Sequence, residues 1–147
     1  FGLAAIFGIV AVFINCHRKL TEKDKLLYAY LFSFPPAKGY VIVETVVWVI
    51  YLLPYEFIMR GLLLPFSMDS LLPYQVILLN ASFYALVHIQ QGTREAVGAF
   101  LLGCILCLIT IYTGSFWGAF AIHLALALSN SYFIWWLLEL KVVLSDN

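Results

Sequence analysis

The feature that most constrains this chain is its series of long apolar runs, several of them long enough to cross a lipid bilayer as a helix. Hydrophobic residues make up 64% of the 147 residues, and charged residues make up 11%, against about 25% in a typical soluble domain. A membrane barrel would instead alternate polar and apolar residues in short segments. The composition therefore predicts an all-α fold: a polytopic transmembrane helical bundle that forms a single membrane domain over residues 1–147.

We expect about five spans in this chain. Hydropathy and turn residues place them near residues 1–16, 39–64, 72–90, 94–112 and 115–139. The segment 17–38 is charged at its start and then has an apolar stretch too short to cross, which predicts a cytoplasmic loop with an interfacial segment. Pro54 removes one backbone hydrogen bond from the second span and should kink or break that helix. Because the chain begins with Phe1 inside an apolar run, we expect it to be a piece of a longer protein.

The cationic residues outside the spans predict an orientation. Under a five-span arrangement every loop Lys and Arg falls on one side of the membrane, and the connections 65–71 and 113–114 carry none. The positive-inside rule assigns the cationic side to the cytoplasm. Membrane lipids are therefore expected partners, and the formal net charge of zero argues against a nucleic-acid partner.

Four ionisable side chains interrupt the apolar runs: Glu56, Arg60, His88 and His123. Such a group at the centre of a membrane helix costs about 2.5–3.5 kcal/mol on insertion scales, so it needs a functional reason or a buried partner. A carboxylate and two imidazoles are also the groups that most often perform general acid–base catalysis. In a five-span arrangement Glu56 and His123 lie at similar depth, and His88 lies about two helical turns deeper. The pattern predicts one shared polar cavity near the middle of the membrane.

Each of these residues also has a structural interpretation. Glu56 and Arg60 are four residues apart and could form a buried ion pair within one helix. His88 could simply form a hydrogen bond at the membrane interface, and His123 could form one deeper in the membrane. We expect no cofactor, but two histidines and one glutamate match the ligand types of zinc, so a divalent metal on Glu56, His88 and His123 stays open.

The order of these motifs resembles the CPBP intramembrane proteases, the family that includes CAAX prenyl endopeptidases and bacteriocin-processing or bacteriocin-immunity proteins. The family pattern is EExxxRG, then FxxxH in a later span, then a second His with an Asn one helical turn further on. This chain has YEFIMRG from Tyr55, YALVH ending at His88, and HLALA from His123. The linking segment 98–123 is also similar to that of the family. The resemblance covers about residues 40–130.

This resemblance implies an endopeptidase that hydrolyses a peptide bond at or in the membrane, acting on a peptide or protein that is prenylated or signal-like. In that role Glu56 and His88 would polarise a water molecule held between them. His123 would donate hydrogen bonds to the developing oxyanion, and Arg60 would orient Glu56. The resemblance also implies a multi-pass protein of a bacterial plasma membrane.

The chain departs from the family pattern at three positions. Tyr55 replaces the first glutamate, which in the family is assigned to water activation, and Tyr84 replaces the phenylalanine. Ala127 stands where asparagine is expected, and Asn130 lies nearly one turn beyond it on roughly the same face. Tyr55, Tyr84 and Asn130 are therefore expected to support the site rather than to catalyse. Two alternatives follow: an inactive family member that serves as a membrane scaffold or bacteriocin-immunity factor, and a small proton-coupled transporter.

Overall fold

The computed structural model describes the backbone of residues 40–145 and the side chains of residues 41–133. All regular secondary structure in this part of the chain is helical, which confirms the all-α prediction. The predicted span 1–16 and the predicted loop 17–38 lie outside the described residues.

Five α-helices, one π-helical segment and one 3₁₀ turn follow one another in the described residues. They are α1 (Tyr40–Glu56), the π segment (Phe57–Leu63), α2 (Leu64–Met68), α3 (Pro73–His88), the 3₁₀ turn (Ile89–Gln91), α4 (Thr93–Thr113) and α5 (Trp117–Ser145).

Two helical stretches in the described residues are long and apolar enough to cross a membrane. These are Val41–Met68, with 28 residues, and Thr93–Thr113, with 21 residues. Helix α3 has 16 residues, fewer than the roughly 20 that a bilayer requires. Many large apolar side chains are exposed, with Phe66 at 77%, whereas Arg60 is only 1% exposed. The exposed apolar side chains suit a surface that faces lipid, and the buried residues include a charged pair beside apolar side chains.

The sequence predicts a kink or a break at Pro54, and the structure shows no break there. Helix α1 continues past Pro54 to Glu56, and the backbone then passes directly into the π segment. A proline lacks an N–H group and so leaves the carbonyl one turn before it without its usual helical donor. The local response is a change in hydrogen-bond spacing over Phe57–Leu63 instead of a break, and such π segments are frequent at functional sites.

The described residues fall into two compact units, which we treat separately. One contains residues 40–50 and 124–145, and within it polar contacts join the start of α1 to α5. The Tyr132 hydroxyl donates a hydrogen bond to the Val41 carbonyl at 3.1 Å. The Trp48 indole N–H lies 2.9 Å from a carboxylate oxygen of Glu44 and 3.1 Å from the Ser131 hydroxyl. These bonds satisfy polar groups that lipid could not.

The second unit, residues 51–123, contains the close packing of α3 against α4. A Cβ atom added to Gly103 would lie 3.0 Å from the Ala81 Cα atom, so only glycine allows the two backbones to approach this closely. Gly114 ends α4 in the left-handed conformation, with φ 65°, which a side chain would disfavour. These two glycines fix the approach of the helices and the turn that follows.

Candidate functional site

The centre of the site is a fully buried ion pair. Glu56, the last residue of α1, and Arg60, in the π segment, are 0% and 1% exposed. Arg60 Nη1 lies 3.2 Å from Glu56 Oε1 and 3.1 Å from Oε2. The guanidinium also lies 4.8 Å above the centre of the Tyr84 ring, an arrangement that stabilises a desolvated cation. The carboxylate and the guanidinium therefore neutralise each other in the interior, where an isolated charge would be very costly.

His123 joins this pair from α5. Its Nδ1 atom lies 2.6 Å from Glu56 Oε1, and its Nε2 atom lies 2.9 Å from the Tyr84 hydroxyl. Both contacts are buried, and His123 itself is 9% exposed. Glu56 and His123, which the sequence predicts to lie at similar depth, are therefore in direct contact. Tyr84, which the sequence suggests only as a supporting residue, forms the far end of the same hydrogen-bonded series.

His88 lies one helical turn beyond Tyr84 on α3. Its Nδ1 atom is 2.8 Å from the Tyr84 backbone carbonyl, and the two rings are 4.7 Å apart between centroids. Because a carbonyl oxygen can only accept, Nδ1 carries the proton, and Nε2 of the neutral ring is free to accept another proton. His88 is partly buried. The structure thus places it beside Tyr84, and the Tyr84 ring contacts both imidazoles.

A second polar pair, which sequence reasoning missed, supports the π segment. The Asn80 amide on α3 donates a hydrogen bond of 2.8 Å to the Met59 carbonyl. The Cys107 thiol on α4 donates to the Asn80 side-chain oxygen at 3.4 Å. Asn80 is 2% exposed, and Cys107 is fully buried. The sequence contains a feature that could have identified Asn80: it is a polar residue within the apolar run of α3, just as His123 is within α5.

The remaining predicted residues are placed as follows. The Tyr55 ring is 6.0 Å from the Tyr84 ring and 6.2 Å from the His123 ring, so the residue at the first glutamate position borders the site. Its hydroxyl is buried and has no hydrogen-bond partner among the described residues. Asn130 belongs to the other compact unit, and its predicted assistance to His123 stays a prediction.

The described side chains do not assemble a metal site. No group of three or more His, Cys, Asp or Glu side chains in the described part of the chain is placed to hold an ion. Glu56 and His123 meet, but their facing atoms already bind each other, and the His88 Nδ1 atom is engaged by a backbone carbonyl. The three-ligand set of Glu56, His88 and His123 therefore does not fit a metal in this arrangement.

Fold and site together define a class: an all-helical, membrane-embedded protein with a buried Glu–Arg–His–Tyr cluster shared among three helical stretches. Comparison with family models agrees with this class. Residues 37–129 match the family described as type II CAAX prenyl endopeptidase Rce1-like. The match spans more than half of the chain, so this protein belongs to that family. A search of curated proteins and a search of solved structures each found no match.

Proposed function

We propose that this protein is a membrane peptidase that hydrolyses a peptide bond at or within the bilayer. The supporting observation is the Glu56–His123 hydrogen bond of 2.6 Å inside the family-matched stretch, with Arg60 held against the same carboxylate. A carboxylate that binds one imidazole nitrogen fixes the ring orientation, which is the arrangement of many hydrolytic sites. In this chain the other nitrogen of His123, Nε2, faces the Tyr84 hydroxyl.

In this proposal Glu56 orients His123 and does not touch the water molecule. Its side chain is 0% exposed and is already engaged by Arg60 and His123. The general base is His88, because its Nδ1 atom is held by a backbone carbonyl and its Nε2 atom is available to take a proton from water. This assignment moves the predicted water-activating role from the Glu56–His88 pair to His88 alone. His123 serves the developing oxyanion when its Nε2 atom carries a proton, because only an N–H group can donate to an anion.

The proposed substrate is a peptide or protein segment that carries a prenyl group or resembles a signal peptide. The printed description of the family names a prenyl endopeptidase, and the exposed apolar surface suits a substrate that arrives through lipid. We propose a multi-pass arrangement with about five spans in a bacterial plasma membrane. No nucleic-acid partner and no cofactor enter the proposal.

The test is a cleavage assay on the purified protein in lipid nanodiscs, with a quenched fluorescent peptide carrying a prenylated cysteine. His88→Ala should reduce turnover by about 10²–10⁴-fold, the usual contribution of a general base. Asp69→Asn, a change at an exposed residue outside the site, is the matched control and should leave turnover unchanged. Full turnover by a folded His88→Ala protein would refute the assignment of His88 as the base.

A second candidate function is favoured by Tyr55. A phenol stands at the first glutamate position of the family pattern, and Glu56 is buried in an ion pair, so the described site presents no accessible carboxylate. A family member without hydrolytic activity, acting as a membrane scaffold or immunity factor, fits these facts. Tyr55→Glu separates the two candidates. Cleavage by this variant and none by the wild type would show that the wild type lacks hydrolytic activity, as the second function requires, and cleavage by the wild type would exclude it.

A further inference from the structure

The Tyr84 hydroxyl occupies the atom of His123 that an oxyanion would need. The Tyr84 oxygen lies 2.9 Å from His123 Nε2, and Glu56 Oε1 lies 2.6 Å from His123 Nδ1, so both ring nitrogens already have partners. Tyr84 is 1% exposed. A phenylalanine, which the family pattern has at this position, could not make the bond to Nε2. The hydroxyl is therefore a feature that this chain adds to the site.

Charge balance determines the direction of the two hydrogen bonds. Arg60 is cationic and Glu56 is its carboxylate partner, so the pair is neutral overall. A protonated His123 would leave one net positive charge in a fully buried cluster, at a substantial desolvation cost. A neutral His123 must donate from Nδ1 to the carboxylate, which can only accept, and its Nε2 atom then accepts from the Tyr84 hydroxyl. In this tautomer Nε2 carries no proton.

We propose that Tyr84 is an internal lock on His123: its hydroxyl holds Nε2 as an acceptor, in the tautomer that cannot donate to an oxyanion. An oxyanion then gains a donor only after the hydroxyl leaves Nε2 and this nitrogen is protonated, in a state whose added positive charge the oxyanion balances. Removal of the hydroxyl eliminates the first of these two steps. Tyr84 is a positioning residue in this account, because it acts through His123. The effect on turnover rests on the proposed peptidase function, whereas the tautomer and its hydrogen bond do not.

Tyr84→Phe is the direct test because it removes the hydroxyl and keeps the ring. Phenylalanine has the same aromatic ring, so it can keep the contacts with Arg60, at 4.8 Å, and with His88, at 4.7 Å. Turnover should rise by about 2- to 10-fold, the factor that corresponds to one net hydrogen bond. Tyr74→Phe is the matched control: the same chemical change on the same helix, at a residue that is 59% exposed. It should leave turnover unchanged.

The second readout is ¹⁵N NMR of the histidine rings in the full chain, which has three histidines. In the wild type, His123 should carry its proton on Nδ1 and show a hydrogen-bonded, unprotonated Nε2. In Tyr84→Phe the tautomer should persist, because Glu56 is unchanged, and the Nε2 resonance should move downfield as it loses its donor. Tyr74→Phe should not move it.

The outcomes are distinct. A wild-type His123 that is protonated on Nε2, or on both nitrogens, overturns the lock, and this measurement does not depend on whether Tyr84→Phe folds. Unchanged or reduced turnover of a folded Tyr84→Phe protein in an active preparation also overturns it. If neither protein cleaves any peptide, the peptidase proposal fails, and the nitrogen spectrum alone decides for or against the bond on which the lock depends.

Discussion

Replacing Glu56 by glutamine should destabilise the protein by about 3–5 kcal/mol, the usual cost of leaving one member of a buried ion pair without its partner. The side chains of Glu56 and Arg60 are both 0% exposed, so water cannot replace the missing charge. Glutamine keeps the shape of the side chain and can still accept a hydrogen bond from His123. The expected loss of stability therefore comes from removing the negative charge that faces Arg60, with little contribution from packing.

A double-mutant cycle separates this charge effect from other causes. Arg60→Met removes the cation but leaves the Glu56 carboxylate bonded to the His123 Nδ1 atom, so it should cost less than Glu56→Gln. The double variant has no buried charge to compensate. It should be more stable than the sum of the single effects by about 2–3 kcal/mol, the upper part of the range for directly contacting residues.

The assay is reversible unfolding in mixed detergent micelles, followed by the fluorescence of the four tryptophans. Asp69→Asn removes an exposed carboxylate and is the control; its stability should stay within about 0.5 kcal/mol of the wild type. Two results would refute a stabilising interaction between Glu56 and Arg60. One is a Glu56→Gln protein as stable as this control. The other is a double variant whose loss of stability equals the sum of the two single losses. The same data determine whether any loss of cleavage in Glu56→Gln is chemical or results from unfolding.

Two further predictions use other parts of the chain. Gly103→Ala should destabilise the protein by about 1–3 kcal/mol, because the new Cβ atom would lie 3.0 Å from the Ala81 Cα atom where α3 packs against α4. The control is Gly98→Ala, whose Cβ atom would have no other atom within 4 Å. It should be neutral or stabilising by up to about 1 kcal/mol. Equal effects in the unfolding assay would contradict this packing. In a chain whose native cysteines are replaced, Ser115→Cys and Gln91→Cys should react with a membrane-impermeant thiol reagent from opposite sides, since α4 lies between them and is long enough to span. Reaction of both from one side would contradict the predicted crossing of the membrane by α4.

The sequence predicted the helices better than their internal geometry. The predicted spans 39–64, 72–90, 94–112 and 115–139 each coincide with a helical stretch of the structure, because long apolar runs in lipid have few alternatives to a helix. The crossing of two of these stretches is supported by length and hydropathy. The π segment was not predicted, since its register depends on how the backbone adjusts after Pro54 and on the hydrogen bond from Asn80.

The site was predictable at the level of depth but not of individual atoms. Counting residues along antiparallel spans brought Glu56 and His123 to the same level, and they are hydrogen-bonded. The same counting placed His88 deeper, and the structure has it one turn beyond Tyr84, with its Nδ1 atom on the Tyr84 carbonyl. No count of residues could show that a Tyr84 hydroxyl reaches Nε2, because that contact depends on side-chain rotation and helix separation within about 1 Å.

The two tyrosines that depart from the family pattern act on the same imidazole. Tyr84 binds His123 Nε2, and the Tyr55 ring meets the His123 ring edge-on at 6.2 Å. Tyr55 places a phenol ring beside the imidazole, and the Tyr84 hydroxyl engages its Nε2 atom. Neither disturbs the Glu56–Arg60 pair, whose burial makes it the most costly feature of the site to alter. Substitutions at Tyr55 and Tyr84 are therefore more informative about function than removal of Glu56 or Arg60, because they change the surroundings of His123 and leave the buried ion pair in place.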